Sequence, residues 1–253
     1  MKRPLLLIAN DDGYLAIGIR FLIDQLKDMA DIVAIAPDRP RSAAGCSITT
    51  QLPVSARKVM EEEGVTLYSC TGTPVDCLKL GINQYVDRQP DLVVSGINHG
   101  TNATINEHYS GTVAVAKEGA LQGIPSVAFS LDDFSENADF SPLAKGIRSI
   151  VKYVLKKGLP SGTLLNVNFP KCPSYRGIRL CRMAMGKWED EFKRHEVYFG
   201  TDYYWIGGVQ TDASADESTD SWAMAHGYVA VTPLKIDETD YAALDRLTTD
   251  WPI

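Results

Sequence analysis

Paired cysteines, long apolar runs and an excess of positive charge are all missing from this chain, and each absence closes off a class of protein. Its five cysteines, Cys46, Cys70, Cys77, Cys172 and Cys181, are odd in number and form no CxxC pair. That speaks against a disulfide framework or a zinc site and for reduced, largely apolar thiols. The apolar stretch behind Lys2-Arg3 ends after five residues, and no segment approaches bilayer-spanning length. Neither a secretory signal nor a membrane helix is expected, and the chain reads as cytoplasmic. Lys and Arg number 25 against 32 Asp and Glu, a net charge of −7; a protein that coats nucleic-acid backbone carries the opposite balance. An anionic small substrate would therefore need a cation placed locally. Repeats and low-complexity tracts are absent too. What remains is 253 residues, 45% hydrophobic and 23% charged, enough to bury one globular core.

The hydrophobic pattern predicts alternating strands and helices. Leu5-Leu6-Leu7-Ile8-Ala9 reads as a buried strand, and Ile19, Leu22, Ile23, Leu26 and Met29 share one helix face. A second strand over residues 31–36 completes a βαβ unit. Residues 47–70 hold β-branched stretches around Glu61-Glu62-Glu63-Gly64 and suggest a hairpin-like excursion. Thr73-Pro74-Val75-Asp76 opens a helix to about residue 85, with Thr73 as cap, Pro74 at the first position and Asp76 in the first turn. Strands at 91–95, 125–130 and 164–169 then alternate with helices at 112–122 and 141–157. The expected fold is α/β, a mainly parallel sheet with helices on both faces, in a single domain over residues 1–253. Beyond about residue 185 the pattern changes: 186–220 suggests an extended hairpin and an acidic loop, 228–232 a late strand, and 235–253 a polar tail.

The chemistry gathers where strands end. Asn10-Asp11-Asp12-Gly13 follows the first strand directly, at the carboxyl edge where open α/β sheets bind ligands. Adjacent carboxylates raise each other's pKa, and a bound cation relieves that repulsion. The same four residues also suit an ordinary turn. Residues 37–42 and 96–102 are the other polar strand ends, and with Asp11 and Asp12 they offer Ser42 and Asn98, an all-oxygen set of the kind Mg²⁺ or Mn²⁺ prefers. Downstream, Tyr109-Ser110-Gly111-Thr112 opens a helix whose free N–H groups suit a phosphate or, more plainly, a cap. Arg39 and Arg41 could add positive charge or pair internally. His99 and His108 flank the site and are candidate proton donors to a leaving oxygen; His195 and His226 read as structural or exposed.

These motifs together resemble the SurE family, the stationary-phase survival nucleotidases. The matches are Asn10-Asp11-Asp12-Gly13, Ala36-Pro37-Asp38-Arg39 with Arg41-Ser42, Gly72-Thr73-Pro74-Val75-Asp76-Cys77, Ser95-Gly96-Ile97-Asn98, Tyr109-Ser110-Gly111-Thr112-Val113 with Glu118-Gly119, and Val231-Thr232-Pro233-Leu234. The resemblance implies a Rossmann-like α/β sheet. It also implies a divalent-metal-dependent phosphomonoesterase that acts on nucleoside 5′- or 3′-monophosphates and, in some members, short polyphosphate. One Mg²⁺ or Mn²⁺ per subunit would be held by Asp11, Asp12, Ser42 and Asn98, with Asn102, Ser110, Gly111 and Thr112 lining the phosphate pocket. Asp11 and Asp12 are the implied catalytic residues, Asp11 acting as base or as covalent nucleophile, or serving an attacking water. The hairpin, with its Tyr203-Tyr204-Trp205, and the tail would build a homodimer or homotetramer.

Two positions and one stretch depart from the family's usual pattern: Ile17 where Pro is usual, Ala43 where Gly is usual, and Ala103-Thr104-Ile105-Asn106-Glu107-His108 in a stretch that commonly holds Gly and Asp. None replaces an implied metal ligand. Two rival readings remain at this point. A haloacid-dehalogenase-type phosphatase would show Asp-x-Asp where this chain has adjacent acids, and a non-catalytic nucleotide sensor would release no phosphate.

Overall fold

The computed structural model describes residues 3–135, 137–195, 199–212 and 216–252. In chain order the first half holds β1 (Leu5–Ala9), α1 (Ile17–Leu26), β2 (Asp31–Pro37), β3 (Ala56–Glu62), β4 (Val65–Cys70), α2 (Pro74–Leu80), β5 (Leu92–His99) and α3 (Gly111–Leu121). It continues through β6 (Ser126–Leu131), α4 (Ala144–Lys157), β7 (Thr163–Phe169) and β8 (Ile178–Leu180). The remainder is β9 (Gly186–Glu189), β10 (Phe192–Arg194), β11 (Tyr204–Ile206), β12 (Val209–Asp212), α5 (Asp220–Ala225), β13 (Val229–Lys235) and α6 (Tyr241–Asp250).

Among the described residues the central sheet runs β3-β4-β2-β1-β5-β6-β7-β13-β8. From β4 to β7 every pairing is parallel, while β3 and β13 lie antiparallel to β4 and β7. β1 shows why both faces are covered. Leu6 and Ile8 join a core with Ile19 and Leu22 of α1 and Ile147 and Val151 of α4, whereas Leu7 and Ala9 join Cys77 and Leu78 of α2 and Val115 of α3. A strand with no polar face is what a doubly covered parallel sheet requires. β2 lies on one side of β1 and β5 on the other, so the chain reverses its direction of travel at β1, and a crevice opens there at the carboxyl ends.

Local expectations hold in detail. Thr73 and Asp76 form the reciprocal capping box of α2, with Pro74 inside its first turn. Four differences carry information. The 47–70 segment is less of an excursion than expected: β3 and β4 form a hairpin about Gly64, but β4 is a full member of the sheet, parallel to β2. β5 runs four residues beyond the predicted end and carries Asn98 within the strand. It does so past a register shift between Ser95 and Asn98, where a Cβ on Gly96 would meet the Phe129 carbonyl oxygen at 2.3 Å. Within 186–212 the described residues form two short antiparallel ladders, β9 with β12 and β10 with β11; residues 196–198 and part of the expected acidic loop (213–215) lie outside the described residues. The tail contains a helix, α6, that buries none of its side chains. No helix among the described residues is long and apolar enough to cross a membrane.

Candidate active site

The turn after β1 is built by Asn10. Its buried Nδ2 donates to the Gly13 carbonyl at 3.0 Å, and its Oδ1 accepts the Gly13 N–H at 3.2 Å. Gly13 holds φ +95°, and a Cβ there would meet the Pro37 carbonyl oxygen at 3.2 Å; both facts favour glycine. The closed turn sends the two acids in different directions. Asp11, 4% exposed, turns toward the start of α3, where Oδ1 accepts the Thr112 hydroxyl at 2.5 Å. Asp12 turns toward β5 and accepts the His99 N–H at 3.2 Å. Only a glycine lets α3 come this close: a Cβ on Gly111 would stand 2.8 Å from the Asp11 Cβ and 3.0 Å from Pro74.

The loops that carry the other two oxygen donors are tied to the same turn by hydrogen bonds. Arg41 N–H donates to the Asp11 carbonyl at 2.7 Å, and Gly45 N–H donates to the Tyr109 carbonyl at 3.1 Å, so Ser42 is bracketed between the end of β1 and the residue before Ser110. Asn98 Nδ2 donates to the carbonyls of His99 (3.2 Å) and Gly100 (2.8 Å). Those bonds orient the amide through its nitrogen, and no protein donor among the described residues takes its Oδ1.

The electrostatics follow from this geometry. Burial, and next the Asp12 charge, push the Asp11 carboxyl up to about 6 against the opposing Thr112 hydrogen bonds. Burial also raises Asp12, opposed by the His99 N–H. No cationic side chain pairs with either acid among the described residues: Arg39 and Arg41 approach only Asp38, at 4.0 Å, and Arg41 also donates to the Thr71 carbonyl. Nor do three or more His, Cys, Asp or Glu residues among the described residues form a group that could hold a metal ion. A hard cation would thus be met here by two carboxylates with neutral hydroxyl and amide oxygens, a set that fits Mg²⁺ or Mn²⁺ and not a soft metal.

At the anion end, Ser110 Oγ caps α3 by accepting the Val113 N–H at 3.0 Å. Its own proton and the Gly111 N–H meet no protein acceptor among the described residues. Thr112 donates to Asp11, so here it orients a carboxylate. Asn102 is buried in a network: its N–H donates to Asn168 Oδ1 (2.8 Å), its Nδ2 to Ser130 Oγ (2.8 Å), and its carbonyl accepts Asn166 Nδ2 (2.8 Å).

The family model for survival protein SurE matches residues 6–190. The chain belongs to the SurE family. Proteins named 5′-nucleotidase SurE resemble it nearly end to end: that of Phocaeicola vulgatus is 48% identical, covering 97% of this chain and 96% of its own. That of Bacteroides thetaiotaomicron is 47% identical over 97% and 95%. The crystal structure of the SurE protein from Aquifex aeolicus superposes with a TM-score of 0.85 at 38% identity, covering 98% of this chain and all of that one.

The departures from the usual SurE pattern now have places. Ala43 adopts φ +58° beside Ser42. Residues 104–109 form a 3₁₀ turn fastened to the base of the hairpin, where Trp188 Nε1 donates to Asn106 Oδ1 (3.1 Å) and Asn106 Nδ2 to Gln210 (3.0 Å). Of the histidines, His99 packs edge-on against Phe140 and His108 pairs with buried Glu107 at 3.1 Å. His226 stacks on Trp222. Sequence reasoning missed Ser130, Asn166 and Asn168, which position the site loops. A signal was present: Asn166 and Asn168 alternate on one face of a stretch, residues 164–169, that is otherwise apolar and buried throughout.

Proposed function

We propose that this SurE-family chain is a divalent-cation-dependent 5′-nucleotidase that cleaves nucleoside 5′-monophosphates, and 3′-monophosphates as well, to nucleoside and phosphate. The observation that carries the reading is a conflict of charge. Two carboxylates with no cationic partner among the described residues stand side by side, Asp11 against a helix start whose free Ser110 O–H and Gly111 N–H suit an anion, and a phosphate would be repelled there without a cation. Asp11, Asp12, Ser42 and Asn98 would hold that ion. When bound, it supplies charge stabilisation to the phosphoryl oxygens and lowers the pKa of a water.

The chain's own groups do the rest. Gly111 N–H and Ser110 O–H donate to the phosphoryl oxygens, the His99 N–H fixes Asp12, and Thr112 fixes Asp11 at the point where a proton leaves the attacking water. The names of the relatives support the nucleotide as substrate. The exposed apolar hairpin supports a homodimer or larger assembly as the working form.

Phosphate release from AMP, 3′-AMP, GMP and tripolyphosphate, with Mg²⁺, with Mn²⁺ and with chelator, tests the reading. Cation-dependent release from the 5′-nucleotides is expected. Release that survives chelation would overturn the cation's role, and no release from any nucleotide would favour the sensor. Tripolyphosphate ranks as a second substrate only if its release depends on the same cation.

A further inference from the structure

Phe134 stands in the loop after β6 with 78% of its surface in water. Scattered apolar side chains on a surface are ordinary, but this ring lies on the backbone of the site. A Cβ on Gly100, which holds φ +99°, would meet Phe134 Cε1 at 2.2 Å and Cζ at 2.5 Å. The carbonyl of that same Gly100 accepts the Asn98 amide at 2.8 Å, and the neighbouring His99 N–H donates to Asp12 at 3.2 Å. The ring therefore sits two residues from one proposed cation ligand and one residue from the anchor of another.

Its position is fixed from both sides. Before it, Asp132 N–H donates to the Phe169 carbonyl (2.9 Å) and Asp133 N–H to the Leu131 carbonyl (2.7 Å). After it, Ser135 donates through N–H (3.0 Å) and hydroxyl (2.7 Å) to Asp133 Oδ1, which also takes Lys171 Nζ at 2.9 Å. Gly100 N–H is itself tied to the Leu131 carbonyl at 2.8 Å. A wet aromatic ring on a pinned backbone, beside the loop that carries Asn98 and anchors Asp12, is preorganised for a flat apolar ligand.

We infer that Phe134 is the stacking platform for the substrate's nucleobase; the inference rests on the nucleotidase reading and names what holds the rest of the nucleotide. Phenylalanine offers a π face and no hydrogen bond, so it recognises any base and discriminates only by stacking area. Purine nucleotides are favoured over pyrimidine ones, and the preference resides in KM.

The test compares Phe134→Ala and Phe134→Trp with the unaltered protein on AMP, CMP and glycerol 2-phosphate, a phosphomonoester with no base, and measures AMP binding by calorimetry. Phe134→Ala is expected to raise the AMP KM and weaken AMP binding about tenfold, the size of one base–aromatic stack. It should narrow the gap between AMP and CMP and leave kcat/KM for glycerol 2-phosphate within about twofold. Phe134→Trp restores AMP. Equal losses on AMP and glycerol 2-phosphate, or an unchanged AMP KM, overturn the platform and leave the nucleotidase standing. Phe134-dependent AMP binding without phosphate release overturns the nucleotidase and leaves the platform. Neither binding nor release overturns both.

Discussion

At the carboxyl ends of β1 and β5 the chain meets nearly all of its own polar needs. Asn10 closes its turn, Thr112 and His99 hold the two acids, and Asn102, Asn166, Asn168 and Ser130 satisfy one another. In the hairpin of β9 to β12 the reverse holds. Phe192, Tyr203, Tyr204, Trp205 and Ile206 stand exposed, as do Tyr241, Leu244, Leu247 and Trp251 in and beside α6. The site lacks only a charge; the arm lacks a surface. An ion would meet the first want and another protein surface the second, so changes in one region should leave the other's deficiency intact.

The sharpest way to break that contrast is Asp11→Asn. Turnover should fall by on the order of 10³-fold, the size of a lost charge-positioning group, in a phosphate-release assay. Stability should move the other way. The Asp11 carboxyl titrates near 6 in the folded chain against an ordinary 3.8, so between those values the folded state binds more protons. Stability therefore falls as pH rises through that window, and the deficit is complete above it, about 3 kcal/mol. Without added cation, Asp11→Asn should unfold at higher temperature than the unaltered protein at pH 7.5, with the gain vanishing below pH 4. A gain independent of pH would show that the buried charge is not its source.

Asn168→Leu tests the self-sufficiency of the site loops from beneath. It strands the Thr101 hydroxyl, the Asn102 N–H and the Asn166 Oδ1, which lose bonds of 3.2, 2.8 and 3.0 Å. About 3 kcal/mol of stability should go with them, measured by denaturant unfolding. A neutral result would mean that water replaces the network. On the arm, Trp205→Glu should weaken self-association by about 2 kcal/mol, some 30-fold, in sedimentation, while AMP turnover per assembled subunit and the melting of the α/β body hold. Smallest of the four, Ala43→Gly relieves a left-handed alanine and should add at most about 1 kcal/mol, because glycine also loosens the unfolded chain.

The same contrast explains what was legible beforehand. β1, its acidic turn, the Thr73 capping box and the start of α3 are written in neighbouring residues, and local propensity with turn chemistry suffices to read them. Asp11, Asp12, Ser42 and Asn98 were named in advance, and the structure brings their loops together. Of the support beneath them, Ser130, Asn166 and Asn168 were not named, because Asn102 and Asn168 meet across 66 residues of chain and period-two polarity in a strand does not say who the partner is. The extension of β5 to His99 was hidden as well. It depends on Gly96 passing the Phe129 carbonyl, a contact between strands that no local pattern encodes. The tail gave no helix signal because α6 has no core to face; its apolar side chains point into water.

The central claim is that the Asp11–Asp12 pair is a cation site whose own charge is uncompensated by protein. Calorimetric titration of Mn²⁺ into the unaltered protein and into Asp11→Asn, at pH 7.5 and pH 5, tests it most directly. The account predicts one ion per chain at pH 7.5, weaker binding at pH 5 where Asp11 takes up a proton, and loss of binding in Asp11→Asn at both. Binding of equal strength in the variant, or none in the unaltered protein at pH 7.5, would contradict it.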